Sequence, residues 1–368
     1  MKINDIRTSE IYFGNRALSE AEHVIRTLGK RALVVTGRNS ADESGAYPDI
    51  AGLLERNGIS HVRYSGVREN PSVSSCFEGA ELGRAEGCDF VIAAGGGSAI
   101  DAGKAAAFYL ANPGSAREEI FNVTGDHSRP SPLLAVPTTA GTGSEANRYS
   151  VLTEDGGAKK HTYKTGYSYP SVSVVCPRYT YSMPEKYSLS TALDAFAHSI
   201  ESYLSPKSTE QSREYALSSA SAIWDVLKDW PGPLNEEDRE KLSRSAMYAG
   251  AAIDVTGTGF PHPMGYGLTL GYGVPHGSAC ALFEDAFIRY NMITKEGRRL
   301  LGEFCGSLNV SPEELGDRLM RLPGVELHIG QDTAEELISR VEAASNFRNS
   351  PYILSRGEMS DIYKRLFK

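Results

Sequence analysis

Short runs of β-branched and aliphatic residues, most of them closed by glycine or proline, punctuate the first half of the 368-residue chain and all but vanish from the second. Residues 31–36 (RALVVT) stop at Gly37, residues 90–94 (FVIAA) at three glycines and residues 133–136 at Pro137, and residues 59–64 (ISHVRY) make a fourth run. Helical stretches at 19–28, 50–57 and 72–85 lie between them. Strands alternating with helices form βαβ units, and such units assemble into a parallel sheet. From about Pro184 the apolar spacing becomes helical, at 188–204, 210–228, 236–253, 279–290, 295–308, 311–320, 334–344 and 356–366. The pattern predicts an α/β fold. A Rossmann-like parallel-sheet domain spans residues 1–183, and an all-helical domain spans 184–368.

Composition removes several function classes. The net charge is −8 and no Lys/Arg block stands out, so a nucleic-acid footprint is not indicated. No apolar run approaches the roughly 18 residues that a membrane span needs. The opening MKINDIRTSE has no apolar signal core, which points away from export. Cys76, Cys88, Cys176, Cys280 and Cys305 form no CxxC pair and are odd in number. They read as reduced thiols of a cytoplasmic protein.

Two loops after strands carry phosphate chemistry. GGGSAIDAGK (95–104) follows a buried-looking strand and opens a helix, with Gly96, Gly97, Ser98 and Asp101 in its first turns. Glycine admits close backbone approach, and a helix N-terminus offers free N–H groups to an anion. A tight strand-to-helix turn without a ligand fits these residues equally well. PTTAGTGSE (137–145) also follows a strand and is dense in hydroxyls, among them Thr138, Thr139 and Thr142. Alone it also fits a hydrophilic loop that caps a helix. Two such loops favour a dinucleotide site at the carboxyl edge of the sheet. The turn Gly37-Arg38-Asn39-Ser40 lacks the acid that would bind an adenosine ribose 2′-OH, and it offers room, positive charge and donors instead. That favours NADP over NAD.

The helical half carries candidate metal donors. Asp194 and His198 are four residues apart, which on a helix puts both on one face. Such a pair chelates a cation or is an ordinary helix-face pair. His262 (in FPHP) and His276 (in VPHG) add two imidazoles in glycine- and proline-rich surroundings. One carboxylate and three imidazoles make an N/O set suited to Fe2+ or Zn2+.

Taken together, GGGSAIDAGK, PTTAGTGSE, LDAFAHSIESY (193–203) and the His262–His276 spacing ending in VPHG resemble the iron-containing (group III) alcohol dehydrogenase family, within the dehydroquinate synthase-like superfold. Fainter echoes are Glu69-Asn70-Pro71 and Lys160. The resemblance covers nearly the whole chain. It implies a hydride transfer between NAD(P)(H) and a small alcohol, aldehyde or ketone, with Fe2+ or alternatively Zn2+ polarising the substrate oxygen. It implies that Asp194, His198, His262 and His276 hold the metal. It implies that Gly96, Gly97, Ser98, Thr138, Thr139 and Thr142 line the dinucleotide site, with Asn70 and Lys160 as further contacts, and that the protein is a homodimer or larger. Gly37 and Ser40 would face the adenosine ribose.

The chain also departs from the family. Tyr266 stands where relatives often have a histidine near the substrate, Thr191-Ala192 replaces a common TG, Cys176-Pro177 a common Asp-Pro, and Gly37 the usual acid. Tyr266 is expected either to donate a hydrogen bond or proton to the substrate or to shape the pocket wall. Arg148 is expected either to meet an anionic substrate group or to form a surface ion pair. A metal- and NAD-dependent lyase of the dehydroquinate synthase kind and a glycerol dehydrogenase-like zinc enzyme are the competing readings.

Overall fold

The computed structural model describes residues 1–6, 9–156 and 160–367. The chain divides into two compact units, Met1–Met183 with Asn235–Met247, and Pro184–Leu234 with Tyr248–Lys368.

The first unit is built on a seven-stranded sheet. Its strands are β1 (Lys2–Ile3), β2 (Glu10–Phe13), β3 (Arg31–Gly37), β4 (Ser60–Val67), β5 (Phe90–Gly95), β6 (Leu133–Pro137) and, after the hairpin β7 (Ser150–Thr153) and β8 (Lys160–Tyr163), β9 (Val172–Val175). The spatial order is β1-β2-β9-β6-β5-β3-β4. Only the β1–β2 pair of that sheet is antiparallel. β3 shows why the sheet is buried on both faces. Ala32 and Val34 join one apolar cluster, with the helix Ala46–Arg56, while Leu33 and Val35 join the other, with the helices Val73–Ala85 and Gly97–Ala111. A parallel sheet covered by helices on both faces demands such unbroken apolar runs. The chain runs from β3 to β4 on one side and from β5 to β6 on the other, so the direction of winding reverses between β3 and β5. The carboxyl ends of those two strands, at Gly37 and Gly95, flank the place where α/β sheets of this kind take ligands.

The four strands expected from sequence are present. β1, β2 and the β7–β8 hairpin escaped notice because they are short and mixed in polarity, and β9 because four residues carry little periodicity. Residues 19–28, expected as one helix, form two single turns, Ala17–Glu20 and Glu22–Ile25. Residues 235–247 lie in the first unit, beyond the break expected at 183/184. The reason is local: the guanidinium of Arg239 donates to the carbonyls of Thr180 and Met183, and Arg244 stacks on Phe13 at 4.0 Å.

The second unit is helical. Its axis is the helix Glu185–Leu204, buried along most of its length. Phe196 of this helix meets Trp224 and Phe304. Residues 279–290, expected as one helix, form two, His276–Ala281 and Glu284–Asn291. The helix Pro261–Tyr272 was not foreseen. Its two prolines stand in the first turn, where no intrahelical N–H is needed, and its three glycines depress local propensity. Tertiary contact holds it, including a hydrogen bond from the Tyr363 hydroxyl to the Met264 carbonyl at 2.9 Å. Among the described residues no helix is long and apolar enough to cross a membrane.

A buried ammonium pins the hydroxyl-rich loop to the sheet. Lys104, 1% exposed, donates to Ser144 Oγ (2.7 Å), Asn147 Oδ1 (3.3 Å) and the Tyr149 carbonyl (2.6 Å). Replacing it by methionine removes the one donor shared by Ser144 Oγ, Asn147 Oδ1 and the Tyr149 carbonyl. Lys104→Met is expected to cost about 2–4 kcal/mol, read as a lower melting temperature, and to weaken dinucleotide binding because the 137–147 loop loses its anchor.

Candidate metal centre and dinucleotide loops

The four expected metal donors converge in the second unit. Asp194 and His198 project from the helix Glu185–Leu204, His262 is the second residue of Pro261–Tyr272, and His276 opens His276–Ala281. One carboxylate oxygen, Asp194 Oδ1, lies 3.8 Å from His198 Nε2, 3.7 Å from His262 Nε2 and 3.8 Å from His276 Nε2. Metal–ligand bonds of roughly 2.0–2.2 Å put neighbouring donors about 3–3.5 Å apart, so a contraction of a few tenths of an ångström closes this set on an ion. Asp194 Oδ1 and His262 Nε2 are buried and make no hydrogen bond, although buried polar atoms are almost always satisfied. These residues therefore fit a divalent cation.

Electrostatics agrees with the geometry. Burial alone would raise the Asp194 carboxyl, but the imidazoles of His198, His262 and His276 more than offset it and hold it well below the usual carboxylate range. Burial would lower His262, yet Glu201 and Asp194 outweigh it and push its pKa up to about 9. The His198 and His262 rings stack at 4.7 Å, and Tyr266 lies over His276 at 5.7 Å. Burial, assisted by the charges of Cys280, Glu201 and Asp194, raises the Tyr266 phenol above its ordinary value.

Three neighbours of the centre were missed from sequence. Cys280 is gathered with Asp194, His262 and His276 within 4.8 Å. Its sulfur is 3.9 Å from Nδ1 and 3.8 Å from Nε2 of His276, so it sits beside the ring and off the Nε2 lone-pair direction. Glu201 receives His262 Nδ1 at 2.7 and 2.9 Å. Residues 194, 198 and 201 share one helical face, and that spacing was the available signal. Glu284 packs near Glu201 from a helix distant in sequence, and no spacing rule reaches it.

The expected dinucleotide residues lie in the first unit, most of them at the carboxyl ends of β3, β5 and β6, with Asn70 after β4 and Lys160 on β8. Ser40 Oγ lies 3.6 Å from where a Cβ on Gly37 would stand and 3.8 Å from one on Gly95. Thr142 Cγ2 would be 2.5 Å from a Cβ on Gly97, and Thr139 Cγ2 would be 3.2 Å from one on Gly96, so the two loops interlock only because those positions are bare. Gly96 caps the helix Gly97–Ala111 without a side-chain hydrogen bond, which leaves the first turn open to an anion. Thr138 donates its N–H to the Gly95 carbonyl at 2.9 Å, and its buried hydroxyl has no partner. Asn70, in the left-handed region at φ 56°, donates its N–H to Ser98 Oγ at 3.3 Å and takes the Thr153 hydroxyl on its carbonyl. Lys160 stands opposite Thr153 in the β7–β8 hairpin. Asp101 is turned to another use. Its carboxylate accepts from Ser144 Oγ (2.6 Å) and Val151 N (2.9 Å), fastening the second loop from beneath. Arg148 lies over the Tyr169 ring at 5.4 Å.

Comparison with known proteins follows the same two halves. The family described as iron-containing alcohol dehydrogenase matches residues 8–177, and the C-terminal part of the Fe-containing alcohol dehydrogenase family matches 188–366. The NADPH-dependent butanol dehydrogenase of Clostridium saccharobutylicum is 30% identical over 326 residues, covering 85% of this chain and 80% of the relative. The crystal structure of an iron-containing alcohol dehydrogenase from Thermotoga maritima superposes with a TM-score of 0.90 at 31% identity, covering 98% of each chain. Sulfoacetaldehyde reductase from Bifidobacterium kashiwanohense, solved with NAD+, gives 0.87 at 28% identity, covering 100% of this chain and 99% of that one.

Gly277 decides whether the donors meet. A Cβ there would lie 1.9 Å from the Ser190 carbonyl oxygen and 2.6 Å from Asp194 Cβ. Gly277→Ala is therefore expected to push His276 away from Asp194 and to lower bound metal at least about tenfold, a loss of the size that displaced supporting groups cause. Elemental analysis of the purified variant, with circular dichroism to check the helices, reads the outcome.

Proposed function

The chain belongs to the iron-containing alcohol dehydrogenase family and is an NAD(P)-dependent oxidoreductase of that class, and we propose that it interconverts small alcohols with their aldehydes or ketones at the Asp194, His198, His262 and His276 centre, with NADP(H) as its preferred dinucleotide. The observation that carries this reading is the approach of three imidazole nitrogens to one buried carboxylate oxygen. When bound, the divalent iron supplies a Lewis acid for the substrate oxygen and the nicotinamide supplies or accepts the hydride.

The protein's own residues hold and orient. Asp194 contributes the charge, and the three imidazoles complete a set with a position left for substrate. Gly96, Gly97, Ser98 and the threonines 138, 139 and 142 cradle the pyrophosphate and nicotinamide side, with Asn70 and Lys160 beside them. Tyr266 stays protonated at neutral pH because burial raises its phenol, so it serves as a hydrogen-bond donor to the substrate oxygen and not as a base.

The preference for NADP(H) rests on the turn after β3. Arg38 is exposed there, and Ser40 stands beside the bare Gly37. The nearest acid, Asp42, is engaged by Arg63, with one contact at 2.9 Å, and Arg63 in turn lies over Tyr47. The turn 37–40 itself therefore presents no carboxylate to a 2′-phosphate, and the first acid beyond it is held by an arginine. Relatives differ on this point: the butanol dehydrogenase is named for NADPH and the sulfoacetaldehyde reductase was solved with NAD+. That none of the five cysteines is in a disulfide supports a cytoplasmic location, and kinship supports a homodimer or larger assembly, which gel filtration reads directly.

One screen tests the reading. Small alcohols and aldehydes are assayed with NAD(H) and NADP(H) after chelation and after return of Fe2+ or Zn2+. Chelation is expected to abolish turnover, Fe2+ to restore it, and NADP(H) to exceed NAD(H) in kcat/KM by about tenfold or more. Equal or better activity with NAD(H) overturns the dinucleotide preference. Tyr266→Phe separates donor from wall: a donor to the reacting oxygen costs about tenfold or more in kcat, whereas a wall leaves kcat near wild type.

A further inference from the structure

Two buried glutamates stand behind the metal centre with no basic residue paired to the second of them. Glu201 is 0% exposed and Glu284 is 1% exposed. Glu201 accepts from His262 Nδ1 on both oxygens, at 2.7 and 2.9 Å, and from the Gly259 N–H. Next along the chain from Glu284, the equally buried Asp285 takes Arg289 (2.7 Å) and Arg365 (3.2 Å). Glu284 has no ion-pair partner among the described residues, and both of its carboxyl oxygens lack a hydrogen-bond donor. Burial, and then the charge of Glu201, raise Glu284 well above the ordinary carboxylate range. A protonated Glu284 has one group to give, an O–H, and Glu201 is the acceptor beside it.

We propose that Glu201 and Glu284 act as one hydrogen-bonded carboxyl pair that fixes the His262 ring with Nε2 aimed at the metal, which makes Glu284 a positioning residue for metal retention. Imidazole that ligates a metal through one nitrogen is oriented by the hydrogen bond its other nitrogen donates. Glu201 provides that bond. The N–H of Gly259 holds Glu201 from one side, and the O–H of Glu284 would hold it from the other, with His262 Nδ1 on both of its oxygens. The pair is anchored on two helices, Glu185–Leu204 and Glu284–Asn291, so a shift of either moves the His262 ring.

The inference rests on Asp194, His198, His262 and His276 being the ligands. The test measures release of bound Fe2+ or Co2+ from the whole protein into excess chelator, together with melting temperatures of the metal-free and metal-loaded forms. Glu201→Gln sets an amide N–H against the Gly259 N–H or the His262 N–H and is expected to speed release about 10–100-fold. Glu284→Leu removes the donor and is expected to speed release about tenfold. Glu284→Gln keeps an N–H donor and is expected to stay within about threefold of wild type. Melting of the metal-free form should change less than that of the loaded form. Wild-type release from Glu284→Leu overturns the proposal, as does equal release from the Leu and Gln variants or an equal loss of melting temperature in both forms. His198→Ala is the control. If it keeps its metal, the ligand assignment fails; if it loses metal while Glu201→Gln releases at the wild-type rate, the assignment stands and the pair falls.

Discussion

A carboxylate in the interior of a helical unit is the constraint around which the second half of this protein is arranged. Asp194 is 3% exposed. An isolated charge in such a place is unfavourable by several kcal/mol or more and survives only with compensating groups around it. Three imidazoles from three separate helices provide that compensation and, with the carboxylate, the donor set for a cation. The requirement reaches outward. The helix Glu185–Leu204 must run through the centre of the unit to place Asp194 there. The helix that opens at His276 must come so close to Ser190 and Asp194 that only glycine fits at 277. A helix of poor intrinsic propensity must begin at Pro261 to deliver His262. Each of these is costly locally and is retained because the donors must meet.

The first unit solves a related problem with the opposite charge. Lys104 is as buried as Asp194, and its three acceptors all belong to the segment from Ser144 to Tyr149. Asp101, one helical turn earlier, takes the Ser144 hydroxyl and the Val151 N–H. The helix that opens at the glycine turn thus grips the threonine-rich loop from below. Thr139 and Thr142 consequently sit over Gly96 and Gly97 without relying on loop propensity. Preorganisation of this kind lowers the entropy lost when a flexible dinucleotide is bound.

The sequence was most legible where one local rule sufficed. The β5 run FVIAA read as a buried strand because it is apolar throughout, and Asp194 with His198 read as a pair because four residues make a helical turn. His262 and His276 were legible as donors by residue type and by kinship, yet the helix that carries His262 was not, because prolines and glycines mask a structure imposed by packing. The structural role of Asp101 was not legible in the sequence, for a physical reason. A residue in the first turn after a glycine loop has the right position for a phosphate contact, but its side chain points down toward Ser144, and direction is a tertiary fact. Glu284 lay beyond sequence reasoning because its importance comes from a neighbour more than eighty positions away.

The proposed dinucleotide preference involves what surrounds the turn after β3 as well as the turn's own residues. Gly37-Arg38-Asn39-Ser40 holds no acid, but Asp42 is only two residues further. Arg63 on β4 engages it. Its guanidinium engages both Asp42 oxygens, its Nε donates to Thr36 Oγ1 at 3.0 Å, and it stacks on Tyr47 at 3.9 Å. An arginine fixed at three points is a poor ligand to reorganise, so the Asp42 charge is spoken for before any dinucleotide arrives. On the proposed preference for NADP(H), the β3–β4 pair and the helix start beside it count as well as the residues of the turn, Arg63 along with Gly37.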